Sequence, residues 1–257
     1  MVSFENLKSI PKLDLHINFL SSITTNLAFD LNEDLSFDEV MEMSTLKRIT
    51  EYDKCLELPI KLLNNVKNIK LAVKDLIDRL KKNNVIYSEV YLDLALYNNK
   101  FSLEYLINVL LKVIEDEKYD LQLVLCASDK YDKDTNLEVL SLLEKYYRKG
   151  VSGIYFNKSK GTNLADYIYL FDKLIKNNMP YVIPFDEKIN NQNWDIYKNA
   201  YRIVYLFDGE NNELLDLAQE NNITLEFCLS KINELNYQFN IYEFIKLIPS
   251  RIMQDPP

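Results

Sequence analysis

The chain has 257 residues, a formal net charge of −9, one histidine and four glycines, where roughly 18 glycines are expected at a usual frequency near 7%. His16 is the only imidazole, which excludes a zinc site built on two or three histidines of one chain. Gly150, Gly153, Gly161 and Gly209 spell neither GxGxxG nor a P-loop, so both glycine-rich phosphate cradles are absent.

The acidic balance argues against nucleic acid, whose phosphates need a basic face, and equally against an anionic membrane surface. Cys55, Cys126 and Cys228 are odd in number and contain no CxxC, so neither a disulfide framework nor a structural zinc is indicated. The N-terminus lacks a signal-type apolar run, and no stretch is long and apolar enough to span a bilayer. The expectation is a cytoplasmic protein. No Pro/Ser/Gly-rich linker interrupts it, so 1–257 reads as one domain.

In chain order, KLDLHINF (12–19) reads as a strand. A long amphipathic helix is expected over 59–82, with Leu62, Val66, Ile69, Val73, Leu76 and Leu80 at helical spacing. A strand over 85–95 precedes a helix carrying Leu103, Leu106, Ile107, Leu110 and Ile114. A strand over 121–128 is followed by a helix with Val139, Leu142, Leu143 and Tyr146. The strand 151–156 leads into a helix with Leu164, Tyr167, Ile168, Phe171 and Ile175. Strands over 181–185, 202–207 and 224–229 follow, and a short one over 251–253 ends the series.

Eight strands alternating with helices imply parallel βα units and a (β/α)8 TIM-type barrel. The barrel is expected to be incomplete at its C-terminus, because no eighth outer helix follows 251–253; truncation after Pro257 would give the same picture. The missing helix leaves a flank for a homodimer or a partner protein to cover. In a barrel, function gathers at the C-terminal strand ends. Alternation along the first strand places Asp14, His16 and Asn18 toward the interior and Leu13, Leu15, Ile17 and Phe19 toward the outer helices.

At these residues the chain resembles the adenosine deaminase family of metal-dependent hydrolases. Ile10–Asn18 is similar to the family's LPKxELHxH. Tyr87–Asp93 falls on YxExRFxP, Leu123–Cys126 on the third strand, and Val151–Phe156 on GVVGxDLAG. Val182–Glu187 falls on VHAGE, Arg202–Leu206 on RIGHG, Leu225–Ser230 on LExCPTSN, and Gln254-Asp255-Pro256 on DDP. The colinear order of these segments carries the resemblance.

The family's chemistry, as the resemblance implies it, is zinc-assisted attack of water on a purine, with a Glu as acid/base and a His beside the hydroxide. Carried over, the first ligand is kept as His16, the second is Asn18, the third is Pro184 and the fourth is Gln254. No zinc is therefore expected, amides being poor ligands beside imidazole and carboxylate. The assisting His is Tyr205. The proton-shuttling Glu is kept as Glu187, and the purine-contacting second Asp of DDP as Asp255. The Asp of HLDG is Leu20 and the Gly of DLAG is Lys158. The substrate side would thus consist of Asp255, Asn18 and Lys158.

Each residue has a plainer reading beside the functional one. His16 is a remnant ligand, a general base, or a hydrogen-bonded interior residue, and the last weighs most. Glu187 keeps acid/base capacity or serves a salt bridge. Asp14, His16, Asn18, Glu187 and Asp255 on one rim would also suit a hard cation through oxygen. Cys228 with His16 would make a thiol nucleophile only if the fold brought them into contact. The stretch 32–34 and the loop 129–134 read as solvated or helix-capping segments. The expectation is a deaminase-like barrel that has lost zinc-dependent deamination and binds a purine nucleoside, another small ligand or a partner. The alternative is an active purine nucleoside hydrolase using Glu187 with an atypical metal or none.

Overall fold

The computed structural model describes residues 9–32, 34–44, 52–97, 100–159, 161–185, 189–205 and 212–227. Its strands are β1 (Lys12–Asn18), β2 (Val85–Leu92), β3 (Leu121–Ser128), β4 (Val151–Asn157), β5 (Tyr181–Phe185), β6 (Arg202–Tyr205) and β7 (Thr224–Phe227). They hydrogen-bond in the order β1-β2-β3-β4-β5-β6-β7, with parallel pairing on either side of β2, β5 and β6. Sequence-ordered parallel strands joined by helices are the order of a TIM-type barrel, not the reversing order of a doubly wound sheet. The strand expected at 251–253 lies outside the described residues.

The contacts group the chain into two compact units, Met1–Cys126 with Ser141–Ser152, and Ala127–Leu140 with Gly153–Pro257. The chain passes between them inside β3, inside the following helix and inside β4, without a linker.

The first unit holds α1 (Thr25–Leu31), α2 (Phe37–Ser44), α3 (Tyr52–Leu62), α4 (Val66–Lys82) and α5 (Leu103–Glu117). The single helix expected over 59–82 is two. Leu63, Asn64 and Asn65 break it, and the Asn65 side chain accepts from Asn68 N at 2.9 Å, restarting the helix as an N-cap. Ile69, Val73, Leu76, Ile77 and Leu80 of α4 are buried at helical spacing. Val73 and Leu76 share an apolar space with Leu110 and Ile114 of α5 and with Val90, Leu92, Leu121 and Leu123 of the sheet.

The periodicity did not single out α1 and α2. They are short, and local caps define them. Thr24 accepts from Leu27 N, and Asn32 Oδ1 accepts from Asp34 N and Leu35 N. Glu39 Oε2 accepts from Ser36 N while Ser36 Oγ accepts from Glu39 N, a capping box. They pack through Ala28 and Val40 against Leu58 and Leu62 of α3.

The helix α6 (Lys133–Tyr146) contributes to both units. The second unit also holds α7 (Ile168–Lys176), α8 (Trp194–Lys198) and α9 (Asn212–Asn221). The helix expected around Leu164 begins as a 3-10 turn, Leu164–Tyr167, capped by Asn163. β2 likewise stops at Leu92 and runs into a 3-10 turn, Leu94–Tyr97, where the sequence pattern suggested strand to 95. Gly153 lies where β4 and Pro180 come closest: a Cβ there would sit 2.9 Å from the Pro180 carbonyl oxygen.

Candidate functional site at the strand ends

In the first unit, β1 is irregular. Asp14 pairs with Ser88 and Ile17 with Val90, so a bulge falls between them and reverses the alternation. His16 and Asn18 lie on the face of Tyr91, whereas Asp14 is in register with Ser88, whose hydroxyl meets Tyr119 Oη at 3.0 Å. Burial raises the pKa of Tyr119, and the Asp14 carboxylate adds to the shift. Asp14, His16 and Asn18, expected on one face, are therefore divided, because one extra residue puts Asp14 on the other side of the strand. Leu13, expected against outer helices, is 61% exposed.

His16 is exposed, and its ring lies flat on Tyr91, with centroids 4.0 Å apart and planes 19° apart. The amide oxygen of Asn18 accepts from Ser21 N at 3.1 Å, so Asn18 pins the 3-10 turn Leu20–Ser22 that leaves the strand. Further along the same face of β2, Glu89 is 7% exposed and accepts from Tyr87 Oη at 2.8 Å. Cys126 at the end of β3 is buried; burial first, and the Asp93 charge second, push its thiol well up, which leaves it protonated and unreactive. The same two causes push up the hydroxyl of buried Tyr97.

In the second unit, Pro184 lies within β5, all of whose residues are buried, in register with Val204. Phe185 and Tyr205 are register partners and share the opposite face. Phe185 meets Tyr197 of α8 edge-on at 5.5 Å and Tyr205 at 5.9 Å. Tyr205 is thus 2% exposed and packs on Phe185, which in turn packs on Tyr197 of α8. Two neighbouring strands that each end in an aromatic residue gain more by packing those rings together than by leaving them in a polar opening. On the Pro184–Val204 face, Arg202 pairs with Glu226 of β7 at 2.8 Å.

Lys158, expected to contact substrate, is 9% exposed and donates to the Thr162 carbonyl at 2.6 Å. It braces the loop after β4 from within. The loop's other anchor is Asp129, read from sequence as surface. Its carboxylate accepts from Ser159 N at 2.7 Å, from Ser159 Oγ and from Thr162 Oγ1. Burial raises the Asp129 pKa, but the hydrogen bonds from Thr162, Ser159 and Ser128 together bring it below the ordinary carboxylate value. No sequence signal marked this residue, because its partners lie some thirty positions away. Asp132 in the same loop does cap α6, accepting from Thr135 N at 2.7 Å.

Glu187, Gln254, Asp255, Leu206 and Cys228 lie outside the described residues. Of the four positions matched to zinc ligands, the three described supply one ring stacked on a tyrosine, one engaged amide oxygen and one proline. That donor set does not fit zinc, which takes imidazole, thiolate or carboxylate. Among the described residues, no group of three or more His, Cys, Asp or Glu is placed to hold a metal ion. What β1 and β2 do offer is the exposed His16 ring stacked on Tyr91, beside the polar Asn18.

No family model matches the chain. An adenosine deaminase of Clostridium perfringens is 23% identical over 249 residues, covering 87% of this chain and 74% of the relative. The crystal structure of Arabidopsis ADAL complexed with IMP superposes with a TM-score of 0.77 at 16% identity, covering 95% of this chain and 80% of that one. An adenine deaminase from Arthrobacter aurescens gives a TM-score of 0.75 at 14% identity, covering 93% and 79%. By sequence similarity and by fold, the chain is adenosine deaminase-like.

Proposed function

We propose that this adenosine deaminase-like chain has lost zinc-dependent deamination and acts in the cytoplasm by binding. The observation that carries this reading is Pro184. It stands within buried β5, where the resemblance calls for a metal-binding imidazole, and a proline ring has no lone pair to offer. The engagement of Asn18 with Ser21 supports it. The ligand class proposed is a purine nucleoside or its monophosphate, since the Arabidopsis relative is described in complex with IMP. Its ring would lie beside exposed His16.

The test is elemental analysis of the purified full chain, with an adenosine-to-inosine assay run with and without chelator. Substoichiometric zinc and no turnover are expected. Stoichiometric zinc, or turnover lost both on chelation and in Glu187→Gln, overturns the reading. It would favour instead an active purine nucleoside hydrolase in which Glu187 moves the proton and Asp255 orients the substrate, a reading that the deaminase names of the relatives support. A thermal-shift panel of purine nucleosides and 5′-monophosphates then separates a surviving pocket from a filled one.

A further inference from the structure

Between Lys12 and Lys47 the sequence carries seven acidic residues and no lysine or arginine. Outside this stretch acidic and basic residues nearly balance, so most of the chain's charge of −9 is concentrated here. The stretch contains α1 and α2. Their inner sides are spent on α3, through Ala28, Val40, Leu58 and Leu62. Their outer sides leave Phe29, Phe37 and Met41 exposed at 40%, 42% and 46%. The Phe29 and Phe37 rings meet edge-on, centroids 5.5 Å apart, so the exposed groups form one surface across two helices.

Charge borders that surface. Phe37 and Met41 are one turn apart on α2, and Asp38 and Glu42 stand one position further round. Asp30 follows Phe29, and Asp34 lies in the turn between the helices; all four acids are exposed. Contiguous rings and a thioether exposed to this extent mark an interaction surface, and methionine adapts to varied partners. The acidic border repels anionic lipid and nucleic acid. It also repels a second copy of itself, which would set like charges against each other.

We propose that the outer face of α1 and α2 docks a cationic amphipathic helix of a partner protein. Apolar side chains of that helix seat on Phe29, Phe37 and Met41, and its lysines or arginines meet Asp30, Asp34, Asp38 and Glu42. The inference is independent of whether the strand-end residues turn over a substrate.

The test titrates the full chain with a synthetic leucine–lysine amphipathic helix of about four turns. Controls are the same residues scrambled so that the leucines share no face, and the leucine–glutamate counterpart. Saturable one-to-one binding that weakens with salt is expected for the first peptide alone. It should fall about tenfold or more in Phe37→Ser/Met41→Ser and in Asp38→Asn/Glu42→Gln. Glu115→Gln/Asp116→Asn on α5 should leave it unchanged. These are surface substitutions, and unaltered circular dichroism and melting temperature establish that each variant is folded. Equal binding of the scrambled peptide, or undiminished binding by both α2 variants, overturns the proposal. So does a dimer in sedimentation that Phe37→Ser abolishes, which assigns the face to a second copy. Binding that appears only after removal of residues 228–257 assigns it to the chain's own segment and also overturns it.

Discussion

At the residue scale, the scarcity of glycine has two sources. One is the set of motif positions where the resemblance calls for glycine and the chain has Ser21, Lys158, Asp186, Val204 and Leu206. The other emerges only from the backbone. Asn84, Lys118, Arg148, Asn178 and Asn222 all have positive φ, and each follows a helix and precedes a strand. This is the place where glycine commonly ends a helix, because it has no Cβ to clash in the left-handed region. Asparagine tolerates that region; lysine does not. Lys118, at φ 50° and ψ 47° after α5, therefore carries strain. Lys118→Gly is expected to stabilise the protein by about 0.5–1 kcal/mol, the relief of about 1–2 kcal/mol being partly offset by the greater freedom of glycine in the unfolded chain. Asn178→Gly should gain less. Chemical denaturation of both variants measures the difference, and a loss of stability in Lys118→Gly would contradict it.

At the element scale, seven of the expected strands are present at the expected places, because each is a short apolar-rich or alternating run that interrupts the helical periodicity. Register was not legible. The bulge that turns Asp14 away from His16 depends on how β1 meets β2, and nothing in KLDLHIN marks an extra residue. For a related reason the motif match gave the position of Tyr205 along β6 but not its packing against Phe185. Two substitutions test the second unit. Gly153→Ala places a methyl against the backbone carbonyl of Pro180, just before β5, and should destabilise by about 1–3 kcal/mol in urea unfolding. Asp129→Ala removes the acceptor that gathers Ser159 and Thr162, and should cost about 1–2 kcal/mol at neutral pH while quickening hydrogen exchange between 157 and 162. A carboxyl depressed in the folded state stabilises fully above its unfolded pKa, near 3.9, and stops doing so as pH falls through the folded value. The gap between wild type and Asp129→Ala should therefore close below about pH 4. A gap that is constant from pH 7 to pH 3 would show that the carboxylate charge is not what holds the loop.

At the scale of the whole molecule, the proposed loss of metal chemistry bears on stability as much as on catalysis. A metal that binds only the folded chain stabilises it by about 4 kcal/mol when present at a thousand times its dissociation constant. For a chain of this length that corresponds to about 10 °C in melting temperature. A catalytic zinc site therefore leaves a thermal signature that is independent of any substrate. Here the described ligand positions do other work: His16 lies on Tyr91, Asn18 holds Ser21, and Pro184 belongs to a buried strand. Melting of the purified chain should accordingly be the same before and after chelation, and stoichiometric zinc should not raise it. A fall of several degrees on chelation, restored by zinc, would mean that residues beyond those described complete a metal centre. The chain would then be read as a working deaminase.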